Sequence, residues 1–173
     1  MALVVFLRGV NVGGHRRFRP TVLAQQLNHF GVVNIGAAGT FVVRTSLSQT
    51  QLRAEFSRRL PFKTEIIICK GKDLLGIAGD ERFGDGPSGS GIVRFVSVLA
   101  KPTRLVPSLP MSFPMRGRWL LKILATENRF VFGQYRRHMK TIGYLGLIDR
   151  IFGVPVTTRN WNTIAAIAKV LKN

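Results

Sequence analysis

The sequence contains few of the residues that build redox, metal or acid–base sites. Its 173 residues include one cysteine, three histidines and eight acidic residues. A single cysteine excludes a disulfide within the chain and suits a reducing cytoplasm. We expect Cys69, in the apolar run EIIIC, to be a core residue. The histidines lack metal-ligand spacing among themselves or with Cys69. We therefore predict no metal and no cofactor, and the sequence shows no nucleophile–base pair that would define an enzyme.

Long apolar runs are also lacking. The run ALVVFL near the N-terminus is much shorter than a membrane span, and Arg8 ends it too early for a signal peptide. Hydrophobic residues still make up 46% of the chain, which is enough for a packed core. We expect a cytoplasmic protein with no membrane segment.

Positive charge is the most pronounced feature that is present. Lysine and arginine total 26 against eight acidic residues, so the net charge is +18. A charge of this size favours polyanions, and the predicted partners are nucleic acid or an anionic small molecule. The alternative is a charge spread over the whole surface, which would indicate no particular site. The sequence does not define an oligomeric state.

Residues 1–70 show the pattern of a βαββαβ unit. Pro20 is a typical first helical residue and Gly31 a typical stop. Ser48 and Gln51 form a capping-box pattern at the start of a second helix, which Pro61 ends. The predicted strands are 2–7, 32–35, 40–44 and 65–69.

The same order is predicted again for residues 71–173. This half adds a short linking helix, a flexible glycine-rich loop at 79–91 and a C-terminal helix. Its predicted elements are strand 92–99, a hairpin of 118–125 and 129–135, a helix from Thr141 to Gly153, strand 154–158 and a helix after Asn160. Four prolines make any helix in 100–116 short and broken. The predicted fold class is α+β, with two tandem ferredoxin-like (βαββαβ) subdomains plus a C-terminal helix.

The stretch LRGVNVGGHR follows the first strand and resembles a phosphate-binding loop. A Walker loop needs lysine and serine or threonine where this chain has His15 and Arg16, and no later strand ends in the required aspartate. We therefore do not predict a nucleoside triphosphate site. Arg8, Asn11 and the backbone amides of Gly13 and Gly14 could still form an anion-binding nest.

The βαββαβ pattern also occurs in the RNA-recognition motif, in which aromatic side chains exposed on the strands stack against bases. Phe6 is the candidate stacking residue, although alternating aromatics are more often part of a core, and we favour the core interpretation. The candidate nucleic-acid contacts from basic clusters are Arg16, Arg17, Arg19, Arg136, Arg137 and Lys140.

Two motifs resemble one known family. LRGVNVGG near the start and GVPVTTRNWNTI near the end are similar to the bacterial domain-of-unknown-function family sixteen-ninety-seven, whose members look like LRGINVGG…SGNVVF…GVPATTRNWNTV. The resemblance implies a pair of ferredoxin-like subdomains. The family's name states no biochemical activity. The family's SGN stands here as Ala38-Gly39-Thr40. Its glycine-rich G-x-G-R-S-K-like stretch stands here as RRHMKTIGY, so an anion site built on that serine and lysine is not carried over.

The closing motif supplies the second half of a candidate site. Arg159, Asn160 and Asn162 surround the start of the last helix, where backbone amides favour anions. We predict that these residues meet Arg8 and Asn11 in one polar pocket that binds an anionic ligand. The alternative is a hydrogen-bond network that pins the two subdomains together. Two other functions stay open: a small cytoplasmic enzyme of unknown reaction with a pocket between the subdomains, or an assembly role.

Overall fold

The computed structural model describes residues 1–10, 17–79, 81–84 and 89–173. Four residues that the sequence singled out as candidate ligand or nucleic-acid contacts lie outside these ranges: Asn11, Gly13, Gly14 and Arg16. The chain forms two compact units, one of residues 1–78 with 163–173 and one of residues 79–162. Each unit has its own antiparallel sheet, which confirms the α+β class.

The first unit is built on a four-stranded sheet. Its strand order is β2-β3-β1-β4, and every neighbouring pair is antiparallel. Its elements are β1 (Ala2–Leu7), α1 (Pro20–Gln26), a 3₁₀ turn (Asn28–Phe30), β2 (Val32–Asn34), β3 (Thr40–Arg44), α2 (Gln49–Arg59), β4 (Ile66–Lys70) and α3 (Gly71–Gly76).

Local signals explain where these helices begin and end. Pro20 is the first residue of α1, and Ser48 and Gln51 form the predicted capping box of α2. Gly31 has a φ of 65°, and an added Cβ there would lie 2.8 Å from the carbonyl oxygen of Arg44. Only glycine fits this position without strain, so the chain can turn here from the 3₁₀ segment into β2.

The core of the first unit lies on one face of its sheet. Leu3, Val5 and Leu7 of β1 point to this face, where the rings of Phe41 and Phe56 meet edge to face at 5.2 Å. Val4 and Phe6, whose side chains point to the other face of the sheet, are also buried, so β1 has no exposed face. This arrangement matches the continuous apolar run in the sequence.

The second unit is built on a five-stranded antiparallel sheet of order β6-β7-β8-β5-β9. A 3₁₀ turn (Glu81–Phe83) precedes it. Its elements are β5 (Ile92–Leu99), β6 (Met111–Phe113), β7 (Leu121–Glu127), β8 (Phe130–Arg136), α4 (Thr141–Leu145), α5 (Ile148–Phe152) and β9 (Val156–Asn160). The last helix, α6 (Trp161–Lys172), begins in this unit, and its residues from Thr163 onward group with the first unit.

Two elements of the second unit differ from the prediction. Residues 100–120, all of them described, contain no helix and carry the short strand β6 instead. The four prolines of this segment exclude regular helical hydrogen bonding. The helix predicted from Thr141 to Gly153 is two short helices, α4 and α5, which are interrupted at Gly146.

No helix within the described ranges is both long enough and apolar enough to cross a membrane.

Candidate functional site

A cleft of about 310 Å³ lies at one end of the second sheet. The last residue of β9, Asn160, pairs with Phe95, whereas β5 already begins at Ile92, opposite Arg136 of β8. The first three residues of β5 therefore have a neighbouring strand on the β8 side only. On the other side the chain has left the sheet to begin α6 at Trp161, and the cleft occupies this gap.

The side chains around the cleft are basic, amide, aromatic and apolar. Two arginines and two asparagines supply hydrogen-bond donors, and one tryptophan supplies an aromatic ring. No carboxylate occurs among the described lining residues, which are Gly89, Ile92, Val93, Arg94, Arg137, Asn160, Trp161 and Asn162. Two arginines beside two side-chain amides are suited to an anion.

The buried ring of Phe83 organises two of these lining residues. The guanidinium carbon of Arg94 lies 5.1 Å from the centroid of the Phe83 ring, and the centroid of the Trp161 ring lies 5.0 Å from it at an interplanar angle of 77°. Phe83 also contacts Phe132 of β8 edge to face. An arginine and a tryptophan fixed against one buried ring lose less freedom when a ligand binds.

An ion pair fastens the turn that carries Phe83. The Nε of Arg82 donates a hydrogen bond to a carboxylate oxygen of Glu127 in β7, and Glu81 pairs with the same guanidinium. The hydrogen bond from Arg82 lowers the pKa of Glu127 and raises the pKa of Arg82 itself. The pair with Glu127 holds the turn against β7, and the two acids together leave Arg82 neutralised.

Arg159 does not line the cleft. It belongs to β9, is buried, and its Nη1 donates hydrogen bonds to the Oγ1 of Thr157 at 2.7 Å and to the carbonyl oxygen of Thr158 at 2.9 Å. Loss of hydration lowers the pKa of Arg159 to about 10. Its neighbour Asn160 is exposed at the cleft because successive strand residues point to opposite sides.

The structure thus brings three predicted site residues together. Arg137, Asn160 and Asn162 line the same cleft. Arg8 belongs to the first unit, where its backbone amide donates to the carbonyl oxygen of Glu65. The pocket predicted to join Arg8 with the closing motif stays a prediction.

The residues predicted to contact nucleic acid fall into three groups. Arg17, Arg19 and Lys140 are exposed. Arg136 is half-buried, and its guanidinium carbon lies 4.1 Å from the centroid of the Trp119 ring. Phe6 is fully buried, so its ring offers no face on which a base could stack in this structure. This agrees with the core interpretation that the sequence favoured.

Sequence reasoning missed Arg94 and Phe83 as parts of this cleft. Arg94 interrupts the apolar strand IVRFVSVL, and a cation inside a buried strand is a signal that could have been followed. Phe83 gave no such signal, because it lies in a glycine-rich stretch with no periodicity.

The fold and the cleft together define an α+β protein with two antiparallel sheets and a basic cleft on the second. A family model described as "Protein of unknown function (DUF1697)" matches residues 1–106, which is more than half of the chain, and the chain belongs to this family. This confirms the resemblance drawn from the sequence, although the closing motif lies beyond the matched residues.

A solved structure shows the same fold over almost the whole chain. It is described as the conserved bacterial protein SP0830 from Streptococcus pneumoniae, and it is 15% identical in sequence with a TM-score of 0.58. The similarity covers 99% of this chain and 98% of that chain. At 15% identity this similarity supports a shared fold and gives no information on function. No curated protein matches this sequence.

Proposed function

We propose that this protein binds a phosphate-bearing ligand in the cleft beside β5 and α6. The observation that carries the proposal is the convergence of Arg94 and Arg137 with two side-chain amides, with no carboxylate among the described lining residues. The net charge alone would not support a particular site, because it is spread along the chain.

The chemistry of the cleft suits a phosphate ester better than a simple inorganic ion. Arginine presents a planar fork of donors that matches two phosphate oxygens, and Asn162 adds a further donor at the first turn of α6. The positive end of the α6 dipole adds to the attraction. Ile92 and Val93 give one wall an apolar character, and a volume of about 310 Å³ is typical of the smaller ligand sites.

We also infer that both units are variants of the ferredoxin-like βαββαβ fold. In the first unit the strand order β2-β3-β1-β4 places the first and third strands at the centre. In the second unit β7-β8-β5-β9 repeats this order, with β6 added at one edge and no helix in residues 100–120. The cleft therefore lies at the start of the strand that takes the first position of the second repeat.

The test is a calorimetric titration with adenosine 5′-monophosphate at low and at about 0.15 M salt. We expect Arg137→Glu to weaken binding about tenfold or more, because a charge-assisted hydrogen bond contributes about 1.5–3 kcal/mol. Arg150→Glu is the matched control, since Arg150 is also exposed and belongs to α5, away from the cleft lining.

Asn162→Asp is an independent second variant. It places a carboxylate in the cleft. An acidic side chain in the first turn of α6 also interacts favourably with the helix dipole, so the helix should not be destabilised. We therefore expect weaker binding of the nucleotide without loss of thermal stability. Equal affinities for wild type, Arg137→Glu and Arg150→Glu would contradict the proposal, as would the absence of saturable binding.

A further inference from the structure

We propose that the natural ligand of this cleft is a single-stranded nucleic acid, with one base stacked on Trp161 and the neighbouring phosphates bound along the same end of the sheet. This inference rests on the proposed function, since it requires a phosphate-bearing ligand in the cleft. It adds an aromatic stacking site and a path for a polymer beyond the cleft.

The hydrogen-bond register brings several strand ends to the cleft. The backbone amide of Arg137, just after β8, donates to the carbonyl oxygen of Gly91, just before β5, at 3.1 Å. The amide of Arg136 donates to the carbonyl oxygen of Leu120, just before β7, at 2.8 Å. The chain segments 89–94, 113–121, 135–142 and 160–162 therefore share one end of the second unit.

These segments carry only positive charge. They contain no aspartate or glutamate, although the whole chain has eight. Their six basic residues are Arg94, Arg116, Arg118, Arg136, Arg137 and Lys140. Only two of the six line the cleft, so a single phosphate bound there would not contact the other four. A strand with several phosphates could contact them in succession.

Both tryptophans of the protein lie at this same end. Trp161 lines the cleft and is partly exposed. Trp119 lies between the strand ends, where the Nζ of Lys122 is 4.8 Å and the guanidinium carbon of Arg136 is 4.1 Å from its ring centroid. Trp119 thus holds two cations in place, which lowers the cost of ordering them around phosphates.

A single strand fits this arrangement better than a duplex. A base can enter a cleft and stack on an aromatic ring only when it is not already stacked and paired inside a helix. The amides of Asn160 and Asn162 lie beside Trp161 and offer both donors and acceptors to the edge of such a base.

An anionic membrane surface is the competing partner. Met115, Met139 and Ile142 in the same segments are 88%, 84% and 74% exposed, and apolar side chains among cations also suit a bilayer. A bilayer surface, however, would not use a recessed ring flanked by two amides. The recess beside Trp161 is what favours a base over a lipid.

The test compares fluorescence anisotropy of a labelled 12-nucleotide oligouridine with calorimetry of adenosine 5′-monophosphate. We expect the oligonucleotide to bind more tightly than the mononucleotide and more tightly than a duplex of equal length. Trp161→Ala should weaken oligonucleotide binding about five- to 150-fold, because stacking of one base contributes about 1–3 kcal/mol.

A second variant does not depend on the packing of Trp161. Arg116→Glu combined with Arg118→Glu changes two exposed residues outside the cleft lining. It should weaken oligonucleotide binding and reduce the salt slope of log K by about 1.4, which is the expectation for two lost single-strand phosphate contacts. Binding of adenosine 5′-monophosphate should not change. Arg150→Glu is again the charge-matched control.

The outcomes separate the two proposals. If the mononucleotide binds but the oligonucleotide binds no more tightly, only the present inference is wrong. If neither binds in a saturable way, the proposed function fails with it. An unchanged oligonucleotide affinity in the Arg116/Arg118 double variant would also overturn the inference. So would tight binding to phosphatidylserine vesicles with no oligonucleotide binding.

Discussion

Gly133 offers the sharpest test of how the second sheet is packed. It lies in the middle of β8, opposite Phe95 of β5 and Ile123 of β7. A Cβ atom at this position would lie 2.4 Å from the backbone carbonyl oxygen of Lys122 and 2.4 Å from the Cζ of Phe95. The carbonyl is part of the sheet, and the Phe95 ring is fully buried, so neither atom can move aside easily.

Gly133→Ala should therefore destabilise the second unit strongly. Inserting a methyl group into a packed core typically costs about 1–3 kcal/mol, and a clash with backbone on one side and a buried ring on the other places this site at about 3 kcal/mol. The reduced freedom of alanine in the unfolded chain offsets only about 0.5–1 kcal/mol. The expected net loss in the free energy of unfolding is therefore about 2–2.5 kcal/mol.

Urea denaturation followed by tryptophan fluorescence measures this loss directly, because both tryptophans belong to the second unit. At an m-value of about 1–3 kcal/mol/M, the midpoint should fall by about 0.7–2.5 M. Gly143→Ala is the matched control: it lies in α4 with nothing within 4 Å of the added Cβ, and alanine should be neutral or stabilising there. Equal midpoints for Gly133→Ala and wild type would refute the packing described for β5, β7 and β8.

Three further predictions concern individual polar contacts. Thr157→Val removes the Oγ1 that accepts a hydrogen bond from buried Arg159. The free energy of unfolding, measured by urea denaturation, should fall by about 1.5–3 kcal/mol. Thr157→Ser keeps a hydroxyl at this position and should retain most of the wild-type stability. Glu127→Gln removes a carboxylate whose pKa is held below 4.5 by Arg82. The stability from that ionised carboxylate is present above its unfolded pKa and lost as the pH falls through its folded pKa, so below pH 4.5 the denaturation midpoint of the variant should decline less steeply than that of wild type. Ser48→Ala removes the capping box of α2 and should cost about 1 kcal/mol, which amide hydrogen exchange of that helix would detect; unchanged protection would contradict it.

Much of the first unit could be predicted from the sequence because its signals are local. Pro20, Gly31 and the Ser48–Gln51 capping box each act within a few residues, and the structure confirms all three. The apolar run of β1 likewise predicts a strand buried on both faces. Such features depend on backbone geometry and neighbouring side chains, which the sequence states directly.

Features that depend on distant contacts could not be predicted in the same way. The Nη2 of Arg44 donates to the carbonyl oxygen of Val170 at 2.6 Å, and Leu171 lies close against Gly71. These contacts group the end of α6 with the first unit. The apolar stripe of α6 predicts that the helix is buried on one side, but it contains no information on which sheet the helix covers.

The candidate site was partly predictable for a similar reason. The closing motif indicated Asn160 and Asn162, and the basic cluster after β8 indicated Arg137. Phe83 could not be predicted, because its role depends on contacts with Arg94 and Trp161, which are 11 and 78 positions further along the chain. Loop residues that gain their role through packing leave no periodic trace.

The motif TTRNWNT therefore divides into two halves with different physical roles. Within β9, Thr157 and Arg159 lie on the same buried side of the strand. There the hydroxyl oxygen of Thr157 accepts a hydrogen bond from the guanidinium of Arg159. Holding a cation there costs enough hydration to lower its pKa to about 10, so the polar contact is needed for the strand to keep this residue inside. From Asn160 onward the strand gives way to α6, and the side chains of Trp161 and Asn162 turn toward the cleft. The buried half belongs to β9, and the cleft opens where that strand ends.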